Sequence, residues 1–271
     1  MAHKTRIGTT GYAVGGGIPE IVDGTVYKLL KGRTLVGLSG YDIPFGTPLE
    51  SLEAGSSVFM TVGSTLTEFI VVHQGNPDSA LYDESCDGTW LMMKDLYDYS
   101  KWSDTDNSYD TSDVHAFLND TFLFLLDAIV QNSVKQVKIP YAIADDDFPE
   151  QKLEVASGEN GLSTKVFLLS CTEVGWDSDS GRPVDGSCLS YFSGTTTYDE
   201  KRRATLDGEA GNWYTRSPYK WSNTSVWFVT DVGEHETTTS LAASGETIYI
   251  RPTMILPGRV LVDSETHIII G

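Results

Sequence analysis

The sequence predicts a mixed α+β domain preceded by a small all-β repeat module, and three observations carry that expectation. The first is where the charge sits. The chain has 271 residues with 19 Lys and Arg against 38 Asp and Glu, a formal charge of −19. Residues 1–65 hold five basic and five acidic side chains, so the remaining 206 carry the whole excess. The second is a repeat in the neutral part, and the third is one helical pattern set among many short strand-like runs. Composition excludes several classes. With 40% hydrophobic residues the chain is too apolar for disorder. No apolar run approaches the roughly 18 residues of a membrane span, and Met1-Ala-His-Lys-Thr-Arg6 leads into no apolar signal segment, so neither membrane nor signal peptide is expected. The negative charge argues against nucleic acid as a partner. Three cysteines without close Cys/His spacing read as free buried thiols rather than disulfides or a zinc site.

In chain order, Ile7–Tyr12, Val22–Tyr27 and Val36–Tyr41 share an aliphatic residue, small turn formers and then tyrosine, their tyrosines 15 and 14 residues apart. Glycines permit tight turns and the β-branched residues beside them favour strands, so residues 1–50 read as short β-hairpin units. Units this small cannot bury an apolar face alone, which predicts an attachment or assembly module over residues 1–65. Val58–Gly63 and Thr67–His73 read as strands. One long helix is predicted from Ser112, a capping residue, to about Asn132, with Val114, Phe117, Leu118, Phe122, Leu125, Leu126 and Ile129 on its apolar face. Further strands are expected at Val134–Tyr141, Lys165–Ser170, Ser225–Val232, Thr247–Ile250, Met254–Ile255 and Thr266–Ile270, which with the helix make an α+β domain over residues 66–271.

Several stretches in series carry a resemblance: His73-Gln-Gly-Asn-Pro77, Cys86-Asp-Gly-Thr-Trp90, Trp213-Tyr-Thr-Arg-Ser217 and Ile250-Arg-Pro252. Over roughly residues 66–263 the chain resembles a domain of prophage-encoded structural proteins of Gram-positive bacteria. The Trp-x-x-Arg-Ser element followed by Ile-Arg-Pro is similar to the C-terminal signature of C-type-lectin-like and formylglycine-generating-enzyme-like folds. Lys31–Ile43 resembles the short repeats before such domains in phage tail and head-fibre proteins. The resemblance implies a virion protein with a C-type-lectin-like display domain, joined to other virion subunits through residues 1–65 in a homo-oligomer, with a trimer favoured by analogy with fibres. The cysteine pair of the oxidase is not placed by Cys171 or Cys188, so that activity is not implied.

Candidate chemistry points to binding rather than catalysis. Five histidines and no Gly-x-Ser-x-Gly turn give no nucleophilic triad. Glu84 with Asp87, or Glu234 with Glu236, could be named as a glycosidase pair only if set across a cleft. Between Trp213 and Tyr249 rings alternate with Ser, Thr and Asn, the composition of a surface that recognises saccharide or protein. The candidate ligand-binding residues are Tyr219, Trp221, Asn223, Ser225 and His235, and the expected ligand is a host-surface polysaccharide or protein. Trp213, Arg216 and Arg251 are expected to be framework, the guanidinium groups bonding several loop carbonyls or a carboxylate. No cofactor is expected beyond a calcium ion at Asp177, Asp179 and Asp185, whose oxygens alternate along a loop without the closing Glu of an EF-hand.

Overall fold

The computed structural model describes residues 46–98, 101–144, 153–176, 181–197, 199–238 and 248–270, and within the first 45 residues five short strands only. The chain divides into two compact units, Met1–Phe45 and Gly46–Gly271. The division falls well before the predicted position at residue 65, because residues 46–65 supply an edge of the second unit's main sheet and a core residue, Leu49.

In the first unit β1 (Thr5–Ile7) and β2 (Gly11–Val14) form an antiparallel hairpin, and β3 (Ile21–Val22) and β4 (Thr25–Val26) form another. Asp23-Gly24, the pair between β3 and β4, is a dipeptide favoured in two-residue hairpin loops. Strand β5 (Leu35–Val36) pairs with β2.

The second unit opens with β6 (Thr47–Pro48), β7 (Ser57–Val62), β8 (Thr65–Gln74) and β9 (Thr89–Met93). Strand β7 alternates inward Val58, Met60 and Val62 with half-buried residues, the period of a one-sided strand. Every residue of β9 is buried, as a continuous apolar Trp-Leu-Met-Met run requires of a central strand. The predicted long helix is broken. Helix α1 (Asp113–Phe117) starts where expected, its Ser112 Oγ accepting from His115 N at 3.1 Å. A wider turn at Leu118–Phe122 and a short α2 (Leu123–Leu125) follow. Leu126 is extended, and α3 (Ala128–Ser133) restarts with the Asp127 carboxylate accepting from the N–H groups of Ile129 and Val130. The restart resets the helical phase, so Val130 is buried and Ile129 exposed, against the expectation from unbroken periodicity.

Strands β10 (Val137–Ile139) and β11 (Tyr141–Ile143) replace the single run predicted at Val134–Tyr141. Pro140 divides them because it has no N–H to continue a ladder. Strand β10 pairs with β13 (Leu162–Thr164), and β11 with β12 (Glu154–Ala156). Strand β14 (Val166–Phe167) is shorter than the run predicted at Lys165–Ser170, since the Leu168 N–H turns to the Tyr109 hydroxyl (2.9 Å) and the Ser170 N–H to the Glu173 carboxylate (2.9 Å). The hairpin β15 (Thr205–Leu206) with β16 (Glu209–Ala210) precedes β17 (Asn212–Pro218), β18 (Val226–Val229), β19 (His235–Thr237), β20 (Ile248–Tyr249), β21 (Thr253–Leu256) and β22 (Leu261–Val262).

The main sheet runs β14-β21-β9-β8-β7, antiparallel throughout, and a second sheet runs β19-β18-β17-β20 with β17 and β20 parallel. Strand β22 pairs with β6, bringing together the two ends of the unit. Residues Thr266–Ile270, predicted as a strand, make only isolated bridges, Phe59 to Ile268 and Val262 to Ile269. The architecture is mixed α+β with strands predominating. No described helix is long and apolar enough to cross a membrane. Cys86 and Cys171 are buried, and burial pushes each thiol up to about 12, whereas Cys188 is exposed, contrary to the expectation of three buried thiols.

Candidate functional site

Three fully buried arginines hold the loops around β17 and β18. Arg216, on β17, donates through Nη1 and Nη2 to the two oxygens of Glu173 (2.5 and 2.7 Å). Its remaining donors reach the carbonyls of Pro140 (3.1 Å), Leu168 (2.9 Å) and Asp185 (2.9 Å). Five donors in a planar fork are thus spent on one carboxylate and three separate chain segments. Burial would lower the Arg216 pKa, but Glu173 and Asp185 raise it above its ordinary value. Glu173 also accepts from the Tyr82 hydroxyl at 2.7 Å, and Tyr82 Oη in turn accepts from Ser187 N at 3.0 Å. Burial, with Glu173 close by, pushes the Tyr82 phenol well above its usual range.

Arg251 lies over the Trp213 ring at 5.0 Å and donates to the carbonyls of Met93 (2.9 Å) and Lys94 (2.7 Å). Trp213 is fully buried and donates to the Arg202 carbonyl at 2.8 Å. Arg202 was not singled out by the sequence, because nothing in Lys201-Arg202-Arg203 distinguishes a buried guanidinium from a solvated one. It lies over Trp176 (5.0 Å) and donates to the carbonyls of Gly233 (2.8 Å), Val174 (3.2 Å), Thr196 and Thr197 (2.9 Å).

On this frame sits a ring cluster. Tyr219 meets Trp221 edge to face (centroids 5.6 Å) and Trp227 at 5.4 Å, and His235 stands against both Trp227 (5.4 Å) and Trp176 (4.9 Å). The Arg182 guanidinium covers Trp227 at 5.1 Å. Trp227 is buried and donates to the Gly181 carbonyl (3.1 Å), whereas Trp221 is 38% exposed and Tyr219 and His235 are half-buried. Gly181 is at φ +100°, and a Cβ there would lie 2.3 Å from the Trp221 ring, so only glycine lets that indole close over the loop. Asn107, whose role no local sequence signal marks, donates from Nδ2 to the carbonyls of Tyr219 (3.3 Å), Ser222 (2.8 Å) and Ser225 (2.8 Å), which pins the loop carrying Trp221.

The structure therefore brings Tyr219, Trp221 and His235 into one cluster, with Asn223 half-buried in the adjoining loop. Ser225 is buried, its hydroxyl donating to the Ser222 hydroxyl (3.2 Å), and it belongs to the loop's frame rather than to the contact surface. Asp185 is also enclosed. Its carboxylate accepts from the Ser217 hydroxyl at 2.9 and 3.0 Å, which removes it from the loop-borne calcium site expected of it. Burial pushes the Asp185 carboxyl up to about 6, against Arg216 and the Ser217 bond, which pull it down. Asp177 and Asp179 lie outside the described residues. Among the described residues no group of three His, Cys, Asp or Glu is placed to hold a metal ion.

Comparison with curated proteins and with solved structures returns no match. Residues 87–258, which include β9, all three arginines and the ring cluster, match the family described as a domain of unknown function, DUF6273. That match spans well over half of the chain, and the protein belongs to the DUF6273 family.

Proposed function

We propose that the second unit is a non-enzymatic recognition domain that binds a host-surface glycan or protein through the face formed by Tyr219, Trp221, Asn223 and His235. In this reading it is a C-type-lectin-like display domain of a phage virion protein, and the first unit, residues 1–45, joins other subunits of a trimer. The observation that carries it is the presentation of Trp221: an exposed indole, edge-packed on Tyr219 and seated over Gly181, on a loop fixed from below by Asn107. Rigid rings offer contact area with few rotamers to freeze, and flanking hydroxyl and amide groups supply adaptable hydrogen bonds. The lectin-like reading draws support from the C-terminal part of the unit, since β18 carries Trp227, β19 begins at His235 and Tyr219 directly follows β17.

The test is titration of the full chain with a panel of neutral oligosaccharides of glucose, galactose and N-acetylglucosamine, followed by tryptophan fluorescence. Trp221→Ala should weaken binding at least about tenfold, with little change in stability because the ring is partly solvated. Absence of binding across the panel and to host cells would refute the reading. A second reading, a purely structural decoration protein, is favoured by exposed Leu66, Phe124 and Ile129 near the β7–β8 turn, where Gly63 N donates to Leu125 O. It requires that Trp221→Ala leave host binding intact while Phe124→Ser disrupts assembly.

A further inference from the structure

Away from the ring cluster, a cleft of about 380 Å³ opens between the end of β9 and the segment leading into β15. It is lined by four cationic side chains, Lys94, Lys201, Arg203 and Arg251, and two acidic ones, Asp95 and Glu200. This reverses the balance of the chain, where acidic residues outnumber basic ones two to one. The walls are fixed by backbone bonds, Leu96 N to Thr205 O (2.9 Å) and Tyr97 N to Ile250 O (3.0 Å). Lys94 is paired with Glu68 at 2.9 Å. The other three cations have no carboxylate partner among the described residues: Arg251 is bonded to carbonyls, Arg203 donates to the Asp231 carbonyl (3.1 Å), and Lys201 lies over the Tyr191 ring at 5.6 Å. The buried Arg251 guanidinium is hydrogen-bonded only to neutral acceptors; burial lowers its pKa to about 10 against the opposing pull of Tyr191 and Asp95, so it stays cationic at neutral pH.

We infer that this cleft binds a small acidic saccharide unit, its oxyanion held by Lys201 and Arg203 in the field of Arg251. The chemistry of the other walls selects a sugar over a bare anion. Tyr191 offers a ring against which a sugar face can lie, and the Asp95 and Glu200 carboxylates accept hydroxyl donors but would repel a second negative group. The Thr205 hydroxyl, which donates to Asp95 at 2.9 Å, can accept one more. The volume lies at the lower end of small-molecule sites, which suits one saccharide unit rather than a long chain. In a strongly acidic protein a local cationic cleft also serves to admit an anion that the remaining surface repels.

Isothermal titration of the full chain with glucuronate, glucose and inorganic phosphate tests the assignment. Glucuronate should bind, more tightly than glucose or phosphate, and should weaken as salt rises from about 0.05 to 0.5 M. Lys201→Ala and Arg203→Ala, both exposed positions, should each reduce glucuronate affinity about tenfold, with unchanged circular dichroism. Lack of glucuronate binding, binding that survives the double substitution, or phosphate binding as tight as glucuronate would each overturn the inference. The aromatic face is tested separately, with neutral oligosaccharides and Trp221→Ala, so the two readings can fail independently.

Discussion

Glu173→Gln is the sharpest test of the framework beneath the recognition loops. The carboxylate accepts four hydrogen bonds, two from Arg216 (2.5 and 2.7 Å), one from Tyr82 (2.7 Å) and one from Ser170 N (2.9 Å), with no solvent contact on either side chain of the ion pair. Glutamine has nearly the same shape but one acceptor oxygen, and its NH₂ group must face donors of Arg216 or the Tyr82 hydroxyl. It also removes the charge that compensates Arg216. Breaking a buried pair from one side costs about 3–5 kcal/mol. For a unit of this size that corresponds to a fall in Tm of about 6–20 °C. Urea unfolding of wild type and variant gives the free-energy difference directly. A loss below about 1 kcal/mol would show that the carbonyls of Pro140, Leu168 and Asp185 suffice for Arg216, and would refute the reasoning. The double variant Glu173→Leu/Arg216→Met should be less destabilised than Glu173→Leu alone, since the guanidinium that the single substitution leaves uncompensated is removed with its partner. Because Tyr82 and Arg216 both bond the segment 185–187, Glu173→Gln should also expose that segment to limited proteolysis.

The remaining predictions concern pH and the loop. Burial places the folded Asp185 carboxyl near 6 against an ordinary 3.8, so the folded state binds the extra proton between those values and loses stability as pH rises through them. The ionised form costs about 3 kcal/mol above pH 6. Asp185→Asn, which can still accept from Ser217, should therefore raise Tm relative to wild type more at pH 8 than at pH 4, and equal differences at both pH values would contradict the assignment. Asn107→Ala removes donors to three loop carbonyls and should destabilise by about 1–3 kcal/mol. It should also weaken ligand binding with Trp221 intact, which parallel unfolding and titration measurements would check.

Much of the fold was legible in the residues themselves. The strand-like run at Val58–Gly63, the Ser112 cap and the strand-like run from Ser225 are local signals, and each stands at the element it predicts. Arg216 and Arg251 stood beside Trp and Pro in a pattern that marked them as framework, and both are buried with their donors on carbonyls. Other features were invisible for a physical reason. Asp127 is a good helix cap anywhere, but only packing decides that the chain should break at Leu126 and put Val130 inward. The partnership of Glu173 with Arg216 and the grip of Asn107 on Ser225 link positions 43 and 118 residues apart. Sequence determined which side chains could recognise, bond or bury. Tertiary structure alone decided which of them meet, because an ion pair, a ring contact or a cationic cleft depends on distance in space, and chain separation carries almost no information about that.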